Sequence, residues 1–208
     1  MKKKELNCLV VAGLKSSLEP DGFKYNKSQD EFRLKINNFT FIVSYHCVDR
    51  NPEFIIEFFL QIRQEEVENI ANRFSSSNPD SFKFSTTITV RLSYFTGKQM
   101  KFKVENENDI QNLFDIFFVP FYKSHIKSFI EKYSSNEEIS KILNDSVTHD
   151  ILGIPVNIHS FQRNIILLKL ISSPDFENIV QHLREKIKNF PDIDKNMFEM
   201  TYNYLKSM

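Results

Sequence analysis

The side chains able to do chemistry are few and scattered. The five histidines are His46, His125, His149, His159 and His182. None stands four residues from another and no H-E-x-x-H occurs, so no helical zinc site is encoded locally. His46-Cys47-Val48-Asp49 sets three ligand types at the end of a predicted strand, a pattern ordinary strand ends share, and no metal is expected there. His149-Asp150 lies in an irregular stretch before Gly153, and His159 follows it. These three are the candidates for a pocket, because a carboxylate beside an imidazole can orient it for acid/base work or ligand binding. No partner nucleophile accompanies them.

Other catalytic patterns are missing. There is no G-x-S-x-G, phosphate-cradling loop or dinucleotide fingerprint, and only 4 glycines from which to build such loops. Pro79-Asp80 invites comparison with metal-dependent nucleases, but Met100-Lys101-Phe102-Lys103 lacks the carboxylate two residues before a lysine. Glu65-Glu66 and Glu137-Glu138 fall in predicted first helical turns, where negative charge complements the helix dipole. No catalytic residue, cofactor or metal is therefore expected, and a non-enzyme is favoured over an enzyme.

Hydrophobic spacing supplies the elements that would position these residues. Leu6, Leu9, Val10, Gly13, Leu14 and Leu18 predict an amphipathic helix over 3–18, broken by Pro20-Asp21-Gly22. The period then becomes two. A short strand at 23–25 precedes Phe32, Leu34 and Ile36, a turn at Asn37-Asn38, and Phe39, Phe41, Val43 and Tyr45, which together read as a hairpin. Phe54, Ile56, Phe58, Leu60 and Ile62 continue the alternation, with Ile55 and Phe59 on the other side. Helical spacing returns at Val67, Ile70, Ala71 and Phe74. The longest alternation, Phe82 to Tyr94, predicts one strand, paired through a turn near Gly97 with Met100, Phe102 and Val104.

From Asn106 onward the pattern is helical. Asn108 is the predicted N-cap, Pro120 splits the segment, and Ser135-x-x-Glu138 is a capping box. The stretch 146–155 is irregular, an apolar helix covers about 157–172, Ser173-Pro174-Asp175 opens the next, and Asp194–Lys206 supplies a last turn or two. The expected fold class is therefore α+β. An N-terminal helix precedes an antiparallel sheet of about six strands interrupted by one helix, and a C-terminal block of four or five helices follows. Residues 1–208 read as a single domain, 1–105 forming the helix and sheet and 106–208 the helical part packed on it.

Composition limits the function. Hydrophobic residues make up 41% of the 208, enough for a substantial core. Twenty-one Phe beside two Ala is what codon usage in an AT-rich genome gives, so the phenylalanines are read as core rather than as a binding surface. The 27 basic and 27 acidic side chains balance, which argues against nucleic acid as the partner. Lys2, Lys3 and Lys4 before Cys8–Leu14 imitate a signal peptide, but the apolar run ends at Lys15 without a cleavage site. No run approaches a membrane span. Cys8 and Cys47 form no C-x-x-C pair, so reduced thiols and a cytoplasmic location are expected.

One extended feature remains. Strand alternation places Arg33, Lys35, Arg63, Lys83, Arg91, Lys101 and Lys103 on the outer sheet face, among Ser85, Thr87, Thr89 and Ser93. A basic, hydroxyl-rich face suits an acidic protein partner, and of these residues Arg33, Lys35, Lys83, Arg91, Lys101 and Lys103 are the candidate contacts. Edge lysines that discourage aggregation give the same pattern.

Asp21-Gly22-Phe23-Lys24 after the first helix, Phe32-Arg33 in the meander, Pro120-Phe121, and Leu167-Leu168-Lys169-Leu170 before Ser173-Pro174-Asp175-Phe176 together resemble a set of small bacterial proteins of unknown function. Some of these are associated with the immunity proteins of polymorphic-toxin systems. The resemblance implies a cytoplasmic non-enzyme that binds a toxin-like protein through the sheet face or the 146–155 loop. It carries over no ligand or catalytic residue. The alternative is a small-ligand protein or enzyme with a site between sheet and helical block near His149, Asp150 and His159.

Overall fold

The computed structural model describes residues 1–75, 78–98, 100–144 and 157–208, except the side chains of Ser93 and Tyr94. In chain order these form α1 (Lys3–Leu18), β1 (Lys24–Asn26), β2 (Glu31–Ile36), β3 (Phe39–Arg50), β4 (Glu53–Gln64) and α2 (Glu65–Asn72). A 3₁₀ turn at Pro79–Phe84, β5 (Ile88–Arg91), a helical turn at Ser93–Thr96 and β6 (Phe102–Val104) follow. A long helix α3 (107–132), α4 (Asn136–Asn144), α5 (Ile158–Leu170), α6 (Phe176–Ile187) and α7 (Asp192–Ser207) complete it. The class is α+β, with one six-stranded antiparallel sheet in which β1 pairs with β2, β2 with β3 and β4 with β6. Among the described residues no helix is long and apolar enough to cross a membrane.

The chain divides into two compact units, residues 1–62 with 89–132 and residues 63–88 with 133–208. Neither follows the 105/106 division expected from the change of period. Helix α3 belongs with the sheet, and α2 with its following turn belongs with the C-terminal helices.

In the first unit, Leu6, Val10, Leu14 and Leu18 form the buried stripe of α1, as their spacing predicts. The β2–β3 hairpin turns at Asn37, whose φ of 52° lies in the left-handed region that asparagine tolerates. Its register places Tyr25, Phe32 and Val43 in one column and Lys24, Arg33 and Ile42 in the next, on opposite faces. Phe39 to Val43 are all buried, so this part of β3 is covered on both sides.

Ring contacts join the buried face of the sheet to α3. Phe58 on β4 meets Phe118 at 4.9 Å between centroids and Phe114 at 6.3 Å, and Phe102 on β6 meets Phe117 at 4.4 Å. Helix α3 reaches these contacts with Pro120 in its middle. Proline has no N–H and its ring crowds the carbonyl four residues back. Here the helix stays continuous because Leu113–Phe118 and Tyr122–Ile126 widen to π-helical turns on either side. The N–H of Val119 donates to the Phe114 carbonyl and that of Lys127 to Tyr122, each five residues back. The expected split is thus absorbed as a local widening.

Gly13 is where α1 approaches this cluster. A Cβ there would lie 2.4 Å from Phe114 Cε2. In an open helix Gly→Ala is favourable. Here the added methyl overpacks the contact, and Gly13→Ala is expected to cost about 1–3 kcal/mol in urea denaturation. A gain in stability would show that the two helices are free to part.

Three local expectations change. Of the predicted 82–94 strand only Ile88–Arg91 forms one, and β5 and β6 both pair with β4 rather than with each other. Asn78 accepts the Asp80 N–H and Pro79 stands at the first position, so this segment begins as a 3₁₀ turn. The cap of α3 is Asn106, not Asn108, in a reciprocal box with Asp109. The last helix is 16 residues long, not a turn or two.

Candidate functional site

The second unit is organised around two helices whose polar residues point inward. Helix α2 starts at Gln64, whose side chain accepts the Val67 N–H at 2.6 Å. Its acidic first turn suits the helix dipole, and it buries Val67, Glu68, Ile70 and Ala71. Helix α5 starts at Asn157, capping Ser160, and from Ser160 to Leu168 every residue is buried, including Gln162, Arg163 and Asn164.

A carboxylate and a guanidinium meet between these helices. Arg163 Nε donates to Glu68 Oε1 and Nη2 to Oε2, both at 2.7 Å, and the Glu68 side chain is fully buried. The Thr87 hydroxyl donates to Glu68 Oε1 at 2.9 Å and accepts the Gln64 backbone N–H at 3.0 Å. Burial alone would raise the Glu68 carboxyl, but the hydrogen bonds and charge of Arg163, with Ser85 and Thr87, overturn that and hold it below its ordinary value.

A second arginine fixes the neighbouring turn. Arg63 is 7% exposed. Its Nη1 donates to the carbonyls of Phe82 and Ser85, each at 2.8 Å, and its Nε to Glu65 at 3.0 Å. Asn72 Nδ2 donates to Ser85 Oγ at 3.0 Å. Both carbonyls accept from Arg63 at the end of β4, and Asn72 of α2 reaches the Phe82 carbonyl and the Ser85 hydroxyl, which explains why Phe82–Ser85 is a shaped turn and not the ladder strand its alternation suggested.

These groups wall a cavity of about 300 Å³. It is lined by Asn72, Ser81, Phe82, Phe84, Gln162 and Arg163, with Ala71, Ser75, Ser85, Thr86 and His159 completing the wall. Six of the eleven side chains are uncharged and polar. Burial lowers the pKa of the His159 ring below its ordinary value, and the Arg163 charge adds to this.

Of the pocket residues expected from sequence, His159 is at this cavity, while His149 and Asp150 lie outside the described residues. The residues that sequence reasoning missed are Glu68, Gln162 and Arg163. For Gln162 and Arg163 a signal was present, the three consecutive polar residues Gln162-Arg163-Asn164 inside an apolar helix, where each must find a buried partner.

The predicted basic face is charge-alternating. Arg33 pairs with Glu31 at 2.5 Å, Lys103 with Glu53 at 3.0 Å and Lys101 with Glu57 at 3.7 Å. Lys83 is on the 3₁₀ turn instead of a strand, its ammonium 4.9 Å from the centre of the Phe84 ring. Arg63 is buried in the network above. Lys35 and Arg91 stay exposed. Among the described residues no three His, Cys, Asp or Glu side chains gather to hold a metal. Cys8 is exposed, and Cys47 is a buried thiol whose pKa is raised by burial.

Comparison with family models, curated proteins and solved structures finds no match.

Proposed function

We propose that this protein is a non-catalytic binding protein of the cytoplasm and that it holds a small polar molecule in the cavity of its second unit. One observation carries this reading. The wall is built from uncharged polar side chains and two phenylalanines, on a turn fixed by a buried arginine, next to charges that already neutralise one another. Such a surface has few groups with which to drive bond breaking and several with which to orient a ligand.

A panel of neutral polar small molecules, scored by thermal shift, tests the reading. Stabilising compounds are expected to lose their effect in Ser81→Trp, which plugs the wall from an exposed position and should itself move stability by no more than about 0.5 kcal/mol. Stabilisation that survives the plug would place the ligand elsewhere and defeat the proposal.

The second reading is the immunity-like one, a toxin-like protein partner bound through the sheet face. Its support is Lys35 and Arg91, exposed and without an ion-pair partner among the described residues. It expects that deleting the gene makes cells sensitive to a toxin of their own kind, and that Lys35→Glu with Arg91→Glu fails to restore protection. Unchanged resistance in the deletion strain counts against it.

A further inference from the structure

The unclaimed hydrogen-bonding atoms of this cavity indicate what kind of molecule it takes. Gln162 is 1% exposed, and its amide group donates both N–H bonds, to the Ala71 carbonyl at 3.1 Å and to Thr201 Oγ1 at 2.8 Å. Among the described residues no donor reaches its Oε1. A buried amide oxygen without a donor is costly. This one belongs to a cavity-lining residue and is not among the side-chain atoms sealed from solvent without a partner. It is therefore open to a ligand's donor.

Arg163, the next residue on α5 and 9% exposed, supplies the complement. A guanidinium has five N–H groups. Glu68 takes two and the His159 carbonyl a third, from Nη1 at 3.2 Å. That leaves one N–H on each terminal nitrogen. Ser81 donates its hydroxyl hydrogen to the Asn78 carbonyl, which leaves the oxygen free to accept. One wall thus offers acceptors and donors side by side.

Charge and shape narrow the class. Glu68 cancels Arg163, among the described residues the one charged residue of the lining, so a ligand with a net charge would lose its hydration without a counter-charge in the wall itself; the Lys83 ammonium lies over the Phe84 ring but is not a lining group. Phe82 and Phe84 give the wall two flat apolar surfaces, with Phe84 38% exposed. A sugar ring meets all these conditions. Its hydroxyls each donate and accept, it is uncharged, and the C–H face of a pyranose lies flat on an aromatic ring. About 300 Å³ is the lower end of ligand-pocket volumes and holds one such ring.

We propose that the cavity is a saccharide site that binds a neutral pyranose, with Gln162 Oε1 and the free N–H groups of Arg163 on vicinal hydroxyls and Phe84 under the ring. This rests on the small-ligand reading above and names its ligand.

The test uses the full chain labelled with nitrogen-15 and follows the Gln162 side-chain amide cross-peak. Glucose, galactose, mannose and N-acetylglucosamine are titrated to millimolar concentration, beside their 6-phosphates and a set of nucleosides. At least one neutral sugar is expected to shift that cross-peak. Phe84→Ala is expected to weaken this sugar about tenfold, as loss of a stacked ring does, with the unliganded melting temperature unchanged. Binding of a nucleoside or a sugar phosphate at Gln162, with no neutral sugar, would overturn the saccharide assignment and leave the cavity reading standing. No shift at Gln162 with any compound would overturn both.

Discussion

Arg163→Met is expected to destabilise the protein by about 3–5 kcal/mol, the usual consequence of stranding one member of a buried ion pair. Glu68 has no exposed surface and, among the described residues, no second cation, since its other partners are the Thr87 and Ser85 side chains. Removing the guanidinium leaves a carboxylate that must be protonated or hydrated inside the unit. The sharper test is the pair of changes. Glu68→Leu alone should also be severe, because it strands the cation. Glu68→Leu combined with Arg163→Met removes both charges and should recover most of the loss. A double variant as unstable as the sum of the singles would mean that the two residues act independently, contrary to the bidentate geometry.

The same pair predicts a pH dependence with a definite sign. The folded Glu68 carboxyl titrates below its ordinary 4.5, so the stability it contributes is fully present above that pH and is lost as the pH falls through the folded value. Urea midpoints of the wild type should therefore fall on acidification below about pH 4.5, and those of the double variant should fall less. An equal decline in both would assign the acid sensitivity to other carboxylates.

The second large effect is expected in the first unit. Phe118 has no exposed surface, and its ring contacts Phe58 at 4.9 Å, Phe114 at 5.4 Å and Tyr122 at 6.4 Å. Phe118→Ala opens a cavity among large, stiff neighbours that cannot easily collapse into it, and should cost about 3–5 kcal/mol by urea denaturation. Phe118→Leu, which keeps most of the volume, should cost clearly less. Equal losses would indicate that ring geometry, not filled space, holds α3 to the sheet.

These residues also show how far the sequence is legible. The stripe from Leu6 to Leu18 and the alternation from Phe32 to Val43 were readable because each element buries one face continuously, and periodicity records that directly. Phe82 and Phe84 misled for the opposite reason. They alternate, but Arg63 and Asn72 bond with the backbone around them, and a side chain on a distant element leaves no trace in local spacing. The shift of the α3 cap from Asn108 to Asn106 comes from Asp109, which completes a reciprocal box only with the residue three before it. Of the cavity, His159 was visible as a residue type. The pairing of Glu68 with Arg163 was not, because tertiary contact alone relates positions 95 residues apart. The lysines of the sheet face were visible too, but their carboxylate neighbours become apparent only when β4 is set beside β6.

That separation has a consequence for how the protein is made. The first unit is interrupted between residues 62 and 89, and the inserted stretch contains Glu68. On a ribosome adding roughly 5–20 residues per second, the carboxylate emerges some 5–20 seconds before the arginine that neutralises it. Until then Glu68 has no guanidinium to pair with, so α2 can bury it as half of an ion pair only after α5 has been synthesised.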